Sequence, residues 1–154
     1  MSVDHDSIKA NDLLVEGKKL KAEGKHEEAI ACYDKAIEIK PEFTDVWVNK
    51  GIALRNLERY DDAVACYDKA IEIDPKSQYA WDNKGVALDE LERYDDAIAS
   101  FNKAIEIVPK DAFAWRRKGD SLAKLGKYDD ALVSFDKAIE IDPKDGLACV
   151  LKGL

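Results

Sequence analysis

The chain is poor in the residues from which cross-linked, metal-binding or reactive sites are built: its 154 residues hold three cysteines, two histidines and one methionine. A small, odd cysteine count excludes a disulfide framework and suits a reducing, cytoplasmic compartment. His5 and His26 have no partners at metal-ligand spacing, so no metal site is expected. No apolar run approaches the ~20 residues of a membrane helix. Residues 1–20 combine Asp4, His5, Asp6 and Lys9 with scattered aliphatics, which is neither the basic start nor the apolar core of an export signal. A basic surplus is missing too. With 24 Lys and Arg against 32 Asp and Glu the formal charge is −8, and nucleic-acid phosphates would be repelled. The glycine-rich phosphate loops and the G-x-S-x-G nucleophile turn are absent, and nothing points to a cofactor. The run from Asp142 to Gly146 lacks the third-position acid and the twelfth-position Glu of a calcium loop.

What the chain does have is repetition. All four prolines (Pro41, Pro75, Pro109, Pro143), all three tryptophans (Trp47, Trp81, Trp115) and five of eight glycines (Gly17, Gly51, Gly85, Gly119, Gly153) recur at a spacing of 34 residues. The units are 10–43, 44–77, 78–111 and 112–145, preceded by an extension at 1–9 and followed by a stub at 146–154; the second and third share 21 of 34 residues. Each unit reads as two helices, in the second unit Thr44 to Leu57 and Asp61 to Asp74 with a break at 58–60. Trp47, Gly51 and Leu54 share one helical face, and Ala63, Tyr67, Ala70 and Ile71 share another. Asp61 and Asp62 are placed to cap the second helix, and Pro75 follows its end. Gly51, Ala63 and Ala70 leave room that Trp47, Tyr60 and Tyr67 fill. Cys32 and Cys66 stand where later units carry Ser100 and Ser134, a slot for a small packed residue, and Cys149 reads as packing too. Paired acids such as Asp95 and Asp96 are copied in three units, which marks scaffold and not an active site. No enzyme activity is expected.

The order Trp47, Gly51, Leu54, Tyr60, Ala63, Tyr67, Ala70, Pro75 resembles the tetratricopeptide repeat family over residues 10–145. The first unit departs at Leu13 and His26, which suits a terminal repeat, and Lys50, Lys84 and Lys118 stand where the family favours Leu. Those lysines are expected to lay their stems on the core and lift their ammonium groups to water. The resemblance implies an all-α, right-handed superhelical solenoid of antiparallel helix pairs, four repeats and a partial fifth, whose first helices line a concave groove. The second helices, taken as 27–40, 61–74, 95–108 and 129–142, carry 17 acids and 5 lysines, and the rest of the chain sums to +4.

Carrying the family's groove positions across gives Asn11, Leu14, Val15 and Lys18 in the first unit and Asp45, Val48, Asn49, Ile52 and Arg55 in the second. The third gives Tyr79, Asp82, Asn83, Val86 and Asp89, and the fourth Phe113, Arg116, Arg117 and Asp120. Tyr79 and Phe113 either meet a partner or pack on the preceding repeat. Asn49 and Asn83 each offer a donor and an acceptor to an extended peptide, or else form a solvated polar wall. Arg117, beside Arg116, suits a carboxylate. A branch of the family grips the free carboxylate tail of chaperones with five side chains. From the first unit Asn49 alone matches, and from the second Asn83 and Arg117, so the clamp is incomplete.

The function expected is a non-catalytic interaction scaffold, at most co-chaperone-like, that binds a peptide or protein segment. The alternative is self-association through the stub, whose Leu147, Val150, Leu151 and Leu154 leave an apolar face without the polar cap that usually ends an array.

Overall fold

A computed structural model describes residues 4–144 of the chain. Among them are eight α-helices and no strand: α1 (His5–Ala22), α2 (His26–Ile39), α3 (Thr44–Asn56), α4 (Tyr60–Ile73), α5 (Gln78–Glu90), α6 (Tyr94–Ile107), α7 (Ala112–Lys124) and α8 (Tyr128–Ile141). The all-α fold and its helix pairs are those implied by the 34-residue period. Contacts divide the chain into two units, Met1–Asn83 and Lys84–Leu154. The stub residues Leu147, Val150, Leu151 and Leu154, and Cys149, lie outside the described residues.

Helix α1 begins within the stretch read as an extension, because Asp4 caps it: its carboxylate accepts from the backbone N–H of Asp6 at 3.2 Å and of Ser7 at 3.3 Å. The second helices start differently from expectation. Tyr60, not Asp61, opens α4, and its N-cap residue, Arg59, makes no side-chain cap. The carboxylate of Asp62 instead accepts from Arg59 Nε at 3.0 Å and Nη2 at 2.8 Å, and Arg93 repeats this with Asp96. The acids serve the helix through charge near its N-terminus and through these ion pairs.

The turn between paired helices is the same four times. Gly24, Glu58, Glu92 and Gly126 all have φ between 58° and 78°, the left-handed region. Around Glu58, its own N–H reaches Arg55 O at 2.8 Å and that of Arg59 reaches Leu54 O at 2.9 Å. This closing pattern satisfies carbonyls that would otherwise end the helix unpaired. Such a φ suits glycine and strains Glu58 and Glu92.

Packing within each unit turns on one contact. Tyr33 and Tyr67 in the first unit, and Phe101 and Phe135 in the second, lie against Gly17, Gly51, Gly85 and Gly119 in that order. A Cβ on Gly85 would meet the Phe101 ring at 2.6 Å, so no larger residue fits unless the ring moves. In the first unit Tyr33 closes a cluster of Ala10, Leu14, Ala29, Ala36, Val46 and Ala53. In the second, Phe135 packs with Leu122 and Ala131, and Ile98 lies against them. The tryptophans add a tie between consecutive repeats: Trp47 Nε1 donates to Pro41 O at 2.7 Å, Trp81 to Pro75 O at 2.9 Å and Trp115 to Pro109 O at 3.1 Å. Leu13, in the Trp place of the first repeat, has no side-chain N–H with which to make it.

Candidate functional site

Consecutive first helices are joined by side-chain rungs, each spanning 28 residues. In the first unit Lys21 Nζ, from the last turn of α1, donates to Asn49 Oδ1 on α3 at 3.0 Å. One repeat later Arg55 Nη1, from the last turn of α3, donates to Asn83 Oδ1 on α5 at 3.3 Å. Each amide is anchored a second time along its own helix, Asn49 Nδ2 to Asp45 O and Asn83 Nδ2 to Tyr79 O, both at 2.8 Å. One N–H and one lone pair of each amide remain.

Burial lowers the Lys21 ammonium below the usual lysine range, and the nearby cations Lys18 and Arg55 add to it. Lys18 is exposed, and Tyr79 is 72% exposed. That exposure argues against packing on the preceding repeat, which would have covered the ring. Ile52 is half-buried, whereas Val48 and Leu14, carried across as groove residues, belong to the core.

The second unit reverses the charge of the rung. Asp89 occupies the place of Lys21 and Arg55 in the 34-residue register, and it is buried, with 4% of its surface exposed. Its carboxylate accepts from Ser121 Oγ at 2.7 Å, Lys124 Nζ at 2.8 Å and Arg117 Nη2 at 3.4 Å. Burial pulls the Lys124 ammonium down, but its bond to Asp89 and the charges of Asp120 and Asp89 outweigh this and hold it above the usual lysine value. Arg117 thus engages a carboxylate belonging to the protein itself. Phe113 is 42% exposed, with the Arg116 guanidinium 5.5 Å from its ring centre. Val86 is half-buried.

Sequence reasoning missed Lys21, Ser121 and Lys124. The signal was present in the register. Lys21, Arg55, Asp89 and Ala123 form one column, in which the charge changes sign. Ser121 stands where Ala53 and Ala87 stand, a hydroxyl gained in the one unit that follows Asp89.

Two of the lysines expected to lift their ammonium groups to water, Lys50 and Lys118, are half-buried and place them over tryptophan rings. Lys50 pairs with Asp34 Oδ1 at 2.6 Å and lies 5.7 Å from the Trp47 ring centre. It forms part of a cleft of about 480 Å³ whose lining includes Leu54, Asp62 and Cys66. Lys118 lies 5.1 Å from the Trp115 ring centre, and burial lowers its ammonium. The ring faces attract the cations, so the stems fold onto the tryptophans. Cys66 is buried, its thiol pushed up to about 11 by desolvation, which makes it an inert packing residue. Among the described residues no group of His, Cys, Asp and Glu could hold a metal ion, and no helix is long and apolar enough to cross a membrane.

Family models described as tetratricopeptide repeats match residues 17–57, 49–112 and 112–145. No curated protein matches the chain. A crystal structure of MamA is similar over 89% of this chain and 80% of its own, at 24% identity and a TM-score of 0.83. PilF of Pseudomonas aeruginosa is similar over 96% of this chain and 67% of its own, at 19% identity and a TM-score of 0.88. The first such domain of Spaghetti (RPAP3), bound to the HSP90 peptide SRMEEVD, is similar over 81% of this chain and 99% of its own, at 24% identity and a TM-score of 0.77. At these identities the likeness is one of fold.

Proposed function

Because the chain belongs to the tetratricopeptide repeat family, we propose that it is a non-catalytic interaction scaffold whose first helices hold an extended polypeptide segment. The observation that carries this reading is the double anchoring of Asn49 and Asn83. Each amide is fixed in orientation before any ligand arrives, and its remaining donor and acceptor match the two polar groups of a peptide unit. Exposed Tyr79, in the same unit as Asn49 and Asn83, supplies the kind of side chain that dominates binding energy at interfaces. The HSP90 peptide held by the RPAP3 domain is a precedent for the fold. A co-chaperone role does not follow from it, since this chain lacks most of the clamp.

Selection from a displayed library of ten-residue peptides tests the reading. Recovered peptides should bind the chain and lose about 1 to 3 kcal/mol of affinity to Tyr79→Ala, Asn83→Ala or Asn49→Ala while circular dichroism stays helical. If no peptide is recovered, or if all three variants bind as the parent does, the reading fails.

A second reading, self-association at the C-terminal side, has one observation in its favour. On α8 Tyr128 is 68% and Leu132 39% exposed, whereas Ile98, the counterpart of Leu132 on α6, packs against Leu122, Ala131 and Phe135. Light scattering across a concentration series decides it: growth of the particle with concentration supports it, and a constant monomer removes it.

A further inference from the structure

We propose that the face shared by α1 and α3 is an anion site, in which Lys18, Lys21 and Arg55 receive an acidic side chain, carboxylate or phosphate, of the segment that Asn49 and Asn83 hold. The inference rests on the peptide-binding reading and names the chemistry of the ligand.

The first observation is a local surplus in a chain of opposite sign. Acids outnumber bases 32 to 24. Several cations elsewhere pair with one: Lys50 has Asp34, Arg59 has Asp62, Arg93 has Asp96. Lys18, Lys21 and Arg55 have none among the described residues, and the rungs of Lys21 and Arg55 end on neutral amides. Burial already disfavours the Lys21 ammonium, and the charges of Lys18 and Arg55 both add to its cost.

The second observation shows what would relieve the repulsion. In the second unit the same place in the register holds Asp89, and that carboxylate gathers Ser121, Lys124 and Arg117 around it. There the protein supplies its own anion and the site is closed. The first unit has the cations and the amides without the anion.

The placement differs from the chaperone-tail clamp. Lys21 and Arg55 lie three residues beyond Lys18 and Ile52, which occupy clamp places, so a terminal carboxylate is not required. Neighbouring helices pack about 8 to 10 Å apart. A polyproline II segment rises about 3.1 Å per residue with three residues per turn, so acids three apart would fall on one side at about that distance. The expected ligand therefore carries two acidic residues at positions i and i+3.

Isothermal titration tests this with three acetylated and amidated ten-residue proline-rich peptides bearing, at i and i+3, two glutamates, two glutamines or two phosphoserines. Either anionic peptide should bind at least about tenfold tighter than the glutamine peptide at low salt. That preference should fall severalfold in the Lys21→Gln/Arg55→Gln variant, which removes both charges. The exposed Lys18→Gln, which leaves both rungs intact, repeats the test should the double variant fail to fold. Tighter binding of the glutamate or of the phosphoserine peptide identifies the anion. Equal binding of all three peptides overturns the anion site and leaves the peptide scaffold standing. A preference that survives in the variants, or no binding of any of the three, overturns the anion site as well, and library selection then judges the scaffold separately.

Discussion

Ser121 Oγ donates to Asp89 Oδ1 at 2.7 Å, a bond between residues 32 apart in the sequence and buried at both ends. Lys124 and Arg117 complete the environment of that carboxylate. Asp89→Asn keeps the size of the side chain and removes the charge that both cations face. Its expected cost is about 1 to 3 kcal/mol, since charged hydrogen bonds are lost while the half-exposed Lys124 can turn to water. Ser121→Ala restores the residue of the two preceding repeats and should cost about 1 kcal/mol. Urea unfolding measures both. Asp89→Asn costing less than Ser121→Ala would show that the cations contribute little.

Glu58 and Glu92 hold φ values of 59° and 58° at a helix end where the first and last repeats use Gly24 and Gly126. Replacing either with glycine should stabilise the chain by about 0.5 to 1 kcal/mol, because the left-handed conformation costs an L side chain about that much or more. Glu58→Ala should bring no gain. Thermal midpoints distinguish the two outcomes: a gain with alanine equal to that with glycine would place the effect in the lost charge and not in the backbone.

The hydroxyls of Tyr33 and Tyr67 are buried without a hydrogen-bond partner among the described residues, where the later repeats carry Phe101 and Phe135. Tyr33→Phe and Tyr67→Phe should therefore be neutral or stabilising by up to about 1 kcal/mol below pH 10. Burial raises both phenols, that of Tyr33 from its ordinary 10.0 to about 12. The folded state then holds a proton that the unfolded state has released, so the parent loses stability as pH climbs from 10 toward 12 and the Phe variants lose less. Denaturant midpoints at pH 7, 10 and 11.5 follow the gap, which should widen with pH in favour of phenylalanine. A gap that stays constant would show that the hydroxyls ionise as freely in the folded chain as in the unfolded one.

Much of the fold was legible because the 34-residue register multiplies each local signal fourfold. One tryptophan is weak evidence, but three at one spacing, with prolines and glycines in step, leave little freedom in how the helices pair. The same register hid the turn geometry. Glu58 and Glu92 look like ordinary polar residues, and Gly24 and Gly126 at their place were the clue that a positive φ recurs there. The Asp-Asp pairs misled for a related reason: acids near a helix start suit both a cap and a neighbour's guanidinium, and Arg59 and Arg93 are close enough to take them.

What the sequence determined unaided was therefore periodic: which residues pair into helices, and where glycine leaves room for an aromatic ring; the column that crosses from one first helix to the next was present in the register but carried no mark of its role. What only the tertiary structure decided was the pairing within that column. A long polar side chain can reach several partners, and the sequence does not say which it prefers. The helices settle it by bringing Lys21 to Asn49, Arg55 to Asn83 and Asp89 to Arg117. Charge balance is a property of side chains close in space, so three neighbouring cations without an acid became visible only once α1 and α3 lay side by side.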